Sequence, residues 1–248
     1  MIRGRTLRRV QLDQIAEVEI KRALQEKGCP ICRICKERLS RSLFWFLSES
    51  YAEGSGVTKY VNDWGFCYEH TRLVAQMGPA WQKSAIYQLI IKSHLPEIER
   101  LLENLQRLRG NFFSKIIAKM GFRRMMVRLR TRGTCIFCET LSQTARYYSA
   151  RLLDIMHDSE IRKSYESSEG LCMPHFVNIL EQASIEYFPQ LLEIAEMQIK
   201  RLKELEDSFQ EFFRKGDYRF SDEPKGEEQT TWIRAIRKLL GEVDLGID

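Results

Sequence analysis

The chain has 248 residues, of which 44% are hydrophobic and 29% charged, a composition typical of a globular protein with one or two domains. Its densest apolar runs, at 43–47 and 86–91, are far shorter than a membrane span, and no apolar run follows the basic residues at 1–9. These features argue against a membrane-spanning or secreted protein. We therefore expect a cytoplasmic protein, in which paired cysteines bind metal or do redox chemistry more often than they form disulfides.

Hydrophobic residues at helical spacing predict a series of helices in the first half of the chain. Gly78 and Pro79 end one of them, and Pro96 is expected to interrupt another and begin a fresh segment. The predicted helices cover 11–27, 33–52, 67–77 and 81–109, with a short turn or helix at 57–62.

The second half follows the same plan. Apolar residues at alternating steps of four and three form one helix face from Leu141 to Ile155, and a polar break at 167–170 follows. Further helices are predicted at 175–187 and 189–213, and an amphipathic helix at 230–240 comes after a polar linker. No segment shows sustained alternation with a period of two, so the sequence predicts an all-α protein.

A CxxC motif followed by a CxxH motif occurs twice in the chain. The first and third cysteines lie 38 residues apart in the first copy and 37 in the second. The residues are Cys29, Cys32, Cys67 and His70 in the first copy and Cys135, Cys138, Cys172 and His175 in the second. This register predicts two pseudo-repeated helical halves, each pinned by a Cys3His metal site of its own.

The repeats suggest four parts of the chain. A first metal-binding helical repeat is expected at 1–110 and a second at 133–215, joined by a basic connector at 111–132. The remaining residues, 216–248, read as a linker and a C-terminal amphipathic helix. Gly65 and Gly170, two residues before each third cysteine, suit a tight turn ahead of the ligands.

Three cysteines and one histidine match a closed, tetrahedral structural zinc site, so we expect two zinc ions per chain. Each motif should lie at a helix N-terminus, whose partial positive charge offsets the negative charge of three thiolates on one divalent ion. An iron–sulfur cluster is the alternative, because Cys35 extends the first motif to C-x2-C-x2-C and Cys67 could add a fourth thiolate. Against this alternative, the second copy has Leu141 where the first has Cys35.

These motifs resemble those of an uncharacterised prokaryotic family that carries a Cys-Pro-x-Cys and Gly-Phe-Cys-x-x-His pair twice. The family also ends in a segment similar to residues 215–220 (Lys-Gly-Asp-Tyr-Arg-Phe) and 232–236 (Trp-Ile-Arg-Ala-Ile). The resemblance covers nearly the whole chain and implies a shared helical fold and shared metal ligands. It implies no activity. The sequence departs from the motif at Ile136, where the family has proline.

Positive charge is concentrated in one segment. The net charge is only +5, yet residues 107–132 contain nine basic residues and no acidic one. Such a segment could bind nucleic acid, an anionic membrane surface or an acidic protein, or could be a plain connector between the repeats. The candidate polyanion-binding residues are Lys115, Lys119, Arg123, Arg124 and Arg128. With no phosphate-binding loop, nucleophile elbow or convincing carboxylate pair, a non-enzymatic binding or scaffold protein is favoured over an enzyme.

Overall fold

A computed structural model describes residues 2–52, 54–107, 134–220 and 222–242. Every regular element in these ranges is helical, as the sequence predicts. The α-helices are α1 (Ile2–Leu24), α2 (Pro30–Trp45), α3 (Gly54–Asn62), α4 (Tyr68–Gln76), α5 (Ala80–Arg107), α6 (Ile136–Ile155), α7 (Ser159–Ser167), α8 (Met173–Gln182), α9 (Phe188–Lys215) and α10 (Thr231–Leu240). The expected basic connector, 111–132, lies outside the described residues.

Shorter helical segments complete the fold. A π-helical turn, Phe46–Ser50, continues α2, and 3-10 turns lie at Ile185–Tyr187, Tyr218–Phe220 and Glu227–Thr230. Among the helices in the described ranges, none combines the length and the apolar character needed to cross a lipid bilayer.

Three elements differ from the sequence-based expectation, and the first is the helix predicted at 175–187, which ends at Gln182 and is followed by a separate 3-10 turn. Pro96 does not interrupt α5, which is continuous from Ala80 to Arg107. Pro96 is exposed, so water can bond to the carbonyl group that loses its partner within the helix. The third element, α7, has only Ile161 and Tyr165 buried, too few apolar positions to give a periodic signal. Its one local signal is Asp158, whose side chain caps the helix by accepting a bond from Glu160 N at 2.8 Å.

The chain forms two compact units. Unit 1 combines Met1–Arg38 with Ser142–Asp248, and unit 2 is Leu39–Leu141. The units therefore do not coincide with the sequential repeats expected at 1–110 and 133–215. Each unit contains residues from both the first and the second half of the sequence.

The core of unit 2 is built around aromatic side chains. Phe46 contacts Tyr60, Phe66 and Phe137 edge-on, with ring centroids 5.4–5.6 Å apart. Leu43 is also fully buried in this cluster. Aromatic rings of this kind contribute most of the burial energy in a small core, and their edge-on geometry fixes their relative orientation.

Unit 1 buries a larger set of aliphatic side chains. The largest fully buried residues of this unit are Ile20, Ile31, Ile34, Tyr148, Leu152, Met156, Ile161 and Tyr165. A polar group lies at its edge, where Arg38 donates to Glu19 at 2.8 Å and the Tyr148 hydroxyl also bonds to Glu19. Burial, together with the bond to Glu19, raises the pKa of Tyr148, so the phenol remains a neutral donor.

Candidate metal centres

Each of the four ligand motifs opens a helix. The first cysteine of each motif precedes the helix, and its carbonyl oxygen accepts a bond from the N–H group four residues on, at 2.8–3.1 Å. The pairs are Cys29 with Arg33, Cys67 with Thr71, Cys135 with Glu139, and Cys172 with Phe176. The second ligand of each motif, three residues after the first, therefore lies on the first helical turn and faces the same side.

The eight predicted ligands form two groups of four. Site 1 consists of Cys29, Cys32, Cys172 and His175, and site 2 consists of Cys67, His70, Cys135 and Cys138. Within each group, the candidate ligand atoms all lie within 4.8 Å of one another. Site 1 lies in unit 1 and site 2 in unit 2.

This grouping corrects the expectation that each half supplies its own site. Each CxxC motif joins the CxxH motif of the other half of the sequence. Packing next to the ligands accounts for the exchange in unit 2, where Phe66 precedes Cys67 and Phe137 separates Cys135 from Cys138. The rings of Phe66 and Phe137 lie 5.2 Å apart, and Phe137 also lies 5.6 Å from the His70 ring.

The corresponding residues of site 1 are aliphatic. Ile31, inside the first CxxC, and Leu171, before Cys172, are both fully buried. Aromatic residues thus flank the ligands of site 2 and aliphatic residues those of site 1. This difference between the motifs was the one sequence signal that could have indicated the exchanged pairing.

The distances at both sites fit one tetrahedral metal ion. With Zn–S near 2.3 Å and Zn–N near 2.05 Å, a tetrahedron places sulfurs about 3.8 Å apart and sulfur about 3.6 Å from nitrogen. The Sγ atoms of Cys32 and Cys172 are 3.6 Å apart, as are those of Cys67 and Cys138. The Sγ–Nδ1 distances are 3.1–3.5 Å around His175 and 3.0–3.7 Å around His70.

The protonation of site 1 shows how closely its ligands interact. Burial alone would lower the pKa of His175, but its bonds to Cys172 and Cys29 outweigh burial and raise the pKa to about 12. Burial raises the pKa of Cys29, yet hydrogen bonds from Cys172, Cys32 and His175 bring it well below its ordinary value. The pKa of Cys32 is raised instead, chiefly by its hydrogen bonds to Cys172 and Cys29, so this thiol keeps its proton while Cys29 pairs with the imidazolium of His175.

Site 2 shows the same division between two thiols. Burial raises the pKa of Cys135, but a bond to His70 and bonds from backbone N–H groups lower it to about 6. Burial and the neighbouring Cys67 raise the pKa of Cys138 to about 12. One thiol of the site is therefore ready to bind a cation at neutral pH, whereas the other must lose a proton first.

Cys35 lies outside both groups of four. It is buried one helical turn after Cys32 and bonds to the side chain of His175. The four-thiolate set suggested by the sequence, with Cys67 added to Cys29, Cys32 and Cys35, does not assemble, because Cys67 belongs to site 2. The physical reason is again the packing of Phe66 beside Phe137, which holds the Cys67 segment in the core of unit 2.

The other candidate residues lie elsewhere. Lys115, Lys119, Arg123, Arg124 and Arg128 are outside the described residues. His94 is packed, as expected for an isolated histidine: its ring stacks on Trp64 at 3.8 Å and its Nε2 lies 2.5 Å from the Val61 carbonyl oxygen.

Several residues near site 1 were not predicted from the sequence. The N–H group of Glu242 points at Cys32 Sγ across 3.5 Å, and Gly241 lies against the same sulfur. Lys238 and Arg201 bond to backbone carbonyls in the segment before Cys172. Local sequence patterns indicate only that 230–240 is an amphipathic helix, so they could not place these residues at a metal site.

Comparison with known proteins identifies one family. A family model described as "Family of unknown function" (DUF6062) matches residues 12–245. No curated protein and no solved structure matches the chain.

Proposed function

Because the chain belongs to the DUF6062 family of unknown function, which its family model matches over residues 12–245, we propose a role from its own residues. It is a helical scaffold protein that binds two zinc ions, one at each Cys3His group. The zinc ions are structural: each joins two segments that are distant in the sequence. The protein's task is to hold a binding surface in shape rather than to catalyse a reaction at the metals.

One observation carries this proposal. Each site brings three sulfurs and one imidazole nitrogen to the separations of a tetrahedron around a single ion. Four protein ligands fill the coordination sphere of zinc, which leaves no position for a substrate or an activated water. Histidine and cysteine together favour zinc among the common divalent metals.

The same distances favour a single ion over an iron–sulfur cluster. In a [4Fe–4S] cluster each thiolate binds a different iron atom, and in a [2Fe–2S] cluster the four ligands are divided between two iron atoms, so the four ligand atoms lie further apart than around a single ion. All four ligand atoms of each site lie within 4.8 Å of one another, which supports a mononuclear centre. Iron–sulfur chemistry, in electron transfer or redox sensing, is the alternative that metal analysis must exclude.

Structural zinc would contribute strongly to folding. In small peptides, such sites supply about 10–16 kcal/mol, comparable with the total stability of about 5–15 kcal/mol of a typical domain. At site 1 the ion would join Cys32 to Cys172 across 140 residues, and at site 2 it would join Cys67 to Cys138 across 71. We therefore expect chelation to abolish cooperative unfolding of the chain.

Elemental analysis of the full chain, purified without air, tests the proposal. We expect two zinc ions per chain and no labile sulfide. The comparison variant is Cys35→Ser, which removes a buried cysteine outside both groups while the introduced hydroxyl can still bond to His175, and which should retain two zinc ions. Iron together with stoichiometric sulfide in the wild type would refute the zinc assignment.

Spectroscopy of a cobalt-substituted sample tests the structural role separately. Four protein ligands predict intense tetrahedral d–d bands at both sites and no change when small anions are added. A five-coordinate spectrum, or one that shifts with added anions, would reveal an open position and contradict a purely structural role.

A further inference from the structure

The C-terminal end of the described chain lies against the ligands of site 1. Helix α10 ends at Leu240, and Gly241 then turns the chain with a positive φ of 91°. This turn aims the backbone N–H of Glu242 at Cys32 Sγ, 3.5 Å away. A backbone donor 210 residues away in sequence thus bonds to a ligand sulfur. Such bonds stabilise the thiolate form of a cysteine and change the affinity of the site for its metal ion.

Gly241 fits this position because it has no side chain. A Cβ atom built there would lie 3.3 Å from Cys32 Sγ and 3.7 Å from Cys172 Sγ. The positive φ would also strain any L-residue. The backbone at Gly241 therefore covers two of the three sulfurs of site 1.

Two cations support the same face of site 1. Lys238 Nζ donates to the Glu169 carbonyl and to Gln198 Oε1, both at 3.1 Å. Arg201 donates to the Ser168 and Tyr165 carbonyls at 2.6–3.0 Å, and its guanidinium lies against Gly170. These bonds tie α9 and α10 to the segment that leads into Cys172, and they bring Lys238 close enough to Cys29 and Cys172 to interact with them electrostatically.

Site 2 is more open to solvent. At site 1 the three cysteines are 1–9% exposed and one ligand, His175, is half-buried, whereas at site 2 two sulfurs, those of Cys67 and Cys138, are half-buried. The glycine that precedes site 2, Gly65, faces Ile90 rather than a cation. An incoming ligand can therefore reach two of the sulfurs of site 2 directly.

We infer that the segment 231–242 is a latch that makes site 1 the slowly exchanging metal site, whereas site 2 exchanges its metal with external thiols or chelators. This inference rests on the proposed zinc function. Exchange at site 2 proceeds by ligand substitution: a donor atom of the incoming chelator binds the ion, and a displaced cysteine thiolate such as Cys138 takes up a proton. No change in oxidation state is involved.

The latch and the metal at site 1 are coupled in both directions. If docking of α10 raises the affinity of site 1 for its metal ion, thermodynamic linkage requires that metal at site 1 stabilises the docking of α10. Metal removed from site 1 should therefore increase amide exchange in Thr231–Leu240. Metal removed from site 2 should leave that helix protected.

The test measures zinc transfer from the full chain to the chromogenic chelator 4-(2-pyridylazo)resorcinol. The wild type should lose its two zinc ions in two kinetic phases, the faster from site 2. Cys67→Ser should remove the fast phase and Cys29→Ser the slow one, which assigns each phase to a site.

Gly241→Val tests the latch itself. Partners that support metal ligands typically change metal affinity about 10–100-fold, so the slow phase should accelerate about 10-fold or more while the fast phase is unchanged. The matched control is Gly78→Val, which also replaces a glycine with positive φ but lies in unit 2 beside Leu47. This control should leave the slow phase at the wild-type rate.

A second variant avoids backbone strain. Lys238→Met keeps the length of the side chain but removes the charge and both hydrogen bonds, and it should also accelerate the slow phase. Circular dichroism at the start of each run confirms that the variants are folded.

The outcomes separate the two proposals. Wild-type protein that retains no zinc refutes the proposed function. Zinc bound at both sites but released at one common rate, or a slow phase unaffected by both Gly241→Val and Lys238→Met, refutes the latch and leaves the zinc assignment intact.

Discussion

The exchanged pairing of the motifs makes a sharp prediction for pairs of cysteine substitutions. Cys29→Ser with Cys172→Ser removes two ligands of site 1 and leaves site 2 complete. Cys29→Ser with Cys67→Ser removes the same number of thiols but damages both sites. We expect the first double variant to bind one zinc ion and the second to bind none.

The magnitude follows from the ligand count. If about 10–16 kcal/mol is shared among four ligands, loss of two costs about 5–8 kcal/mol, a 10⁴–10⁶-fold loss of affinity. Loss of one ligand costs about 2.5–4 kcal/mol, or roughly 10²–10³-fold. With free zinc buffered at about ten times the wild-type dissociation constant, even a 100-fold weaker site is less than about a tenth occupied.

Native mass spectrometry counts the zinc ions in each double variant under this buffer. Pairing within each half predicts the reverse result: one zinc with Cys29→Ser and Cys67→Ser, and none with Cys29→Ser and Cys172→Ser. That reversed pattern would refute the exchanged arrangement. Two zinc ions in both variants would show that these cysteines are not ligands.

Three further predictions follow from the core, the thiols and the basic segment. Phe137→Ala should lower the free energy of unfolding of unit 2 by about 3–5 kcal/mol, measured by urea unfolding, and should cause site 2 to release its zinc before site 1. The control Phe44→Ala changes a side chain that is 56% exposed and should have little effect. The raised pKa of Cys138 keeps this thiol protonated at neutral pH in the metal-free protein, so zinc binding should release a proton and zinc affinity should increase as pH rises. Calorimetry in buffers of different ionisation enthalpy measures the proton release. A zinc affinity that is independent of pH would contradict this prediction. If the basic segment binds a polyanion, its affinity for nucleic acid should fall steeply as the salt concentration rises. Substitution of Lys115, Lys119 and Arg123 by Glu should abolish this binding and leave the zinc content unchanged. Gel-shift assays test binding at low and physiological salt, and co-sedimentation with anionic vesicles tests binding to a membrane surface.

The helical fold and the eight candidate ligands could be predicted from local sequence patterns. Helices are local, and their apolar periodicity is visible in the chain except where few residues are buried, as in α7 with only Ile161 and Tyr165. The ligand motifs were equally visible, because a CxxC or CxxH on the first turn of a helix fixes its residues within one local segment. The local spacing therefore identifies the eight ligands but does not show which CxxC motif shares a metal site with which CxxH motif.

Which CxxC motif meets which CxxH motif depends on long-range packing that local patterns do not reveal. Loop closure favours the nearer partner weakly: joining Cys32 to Cys172 rather than to Cys67 lengthens the loop about four-fold, which costs only about 1.2 kcal/mol. Burial of the Phe66 and Phe137 rings against each other and against Phe46 contributes several times that amount, since one buried aromatic ring supplies about 3 kcal/mol. Core packing, which depends on contacts between distant segments, therefore outweighs the proximity that the repeat suggests, and the same long-range folding brings Gly241 to site 1.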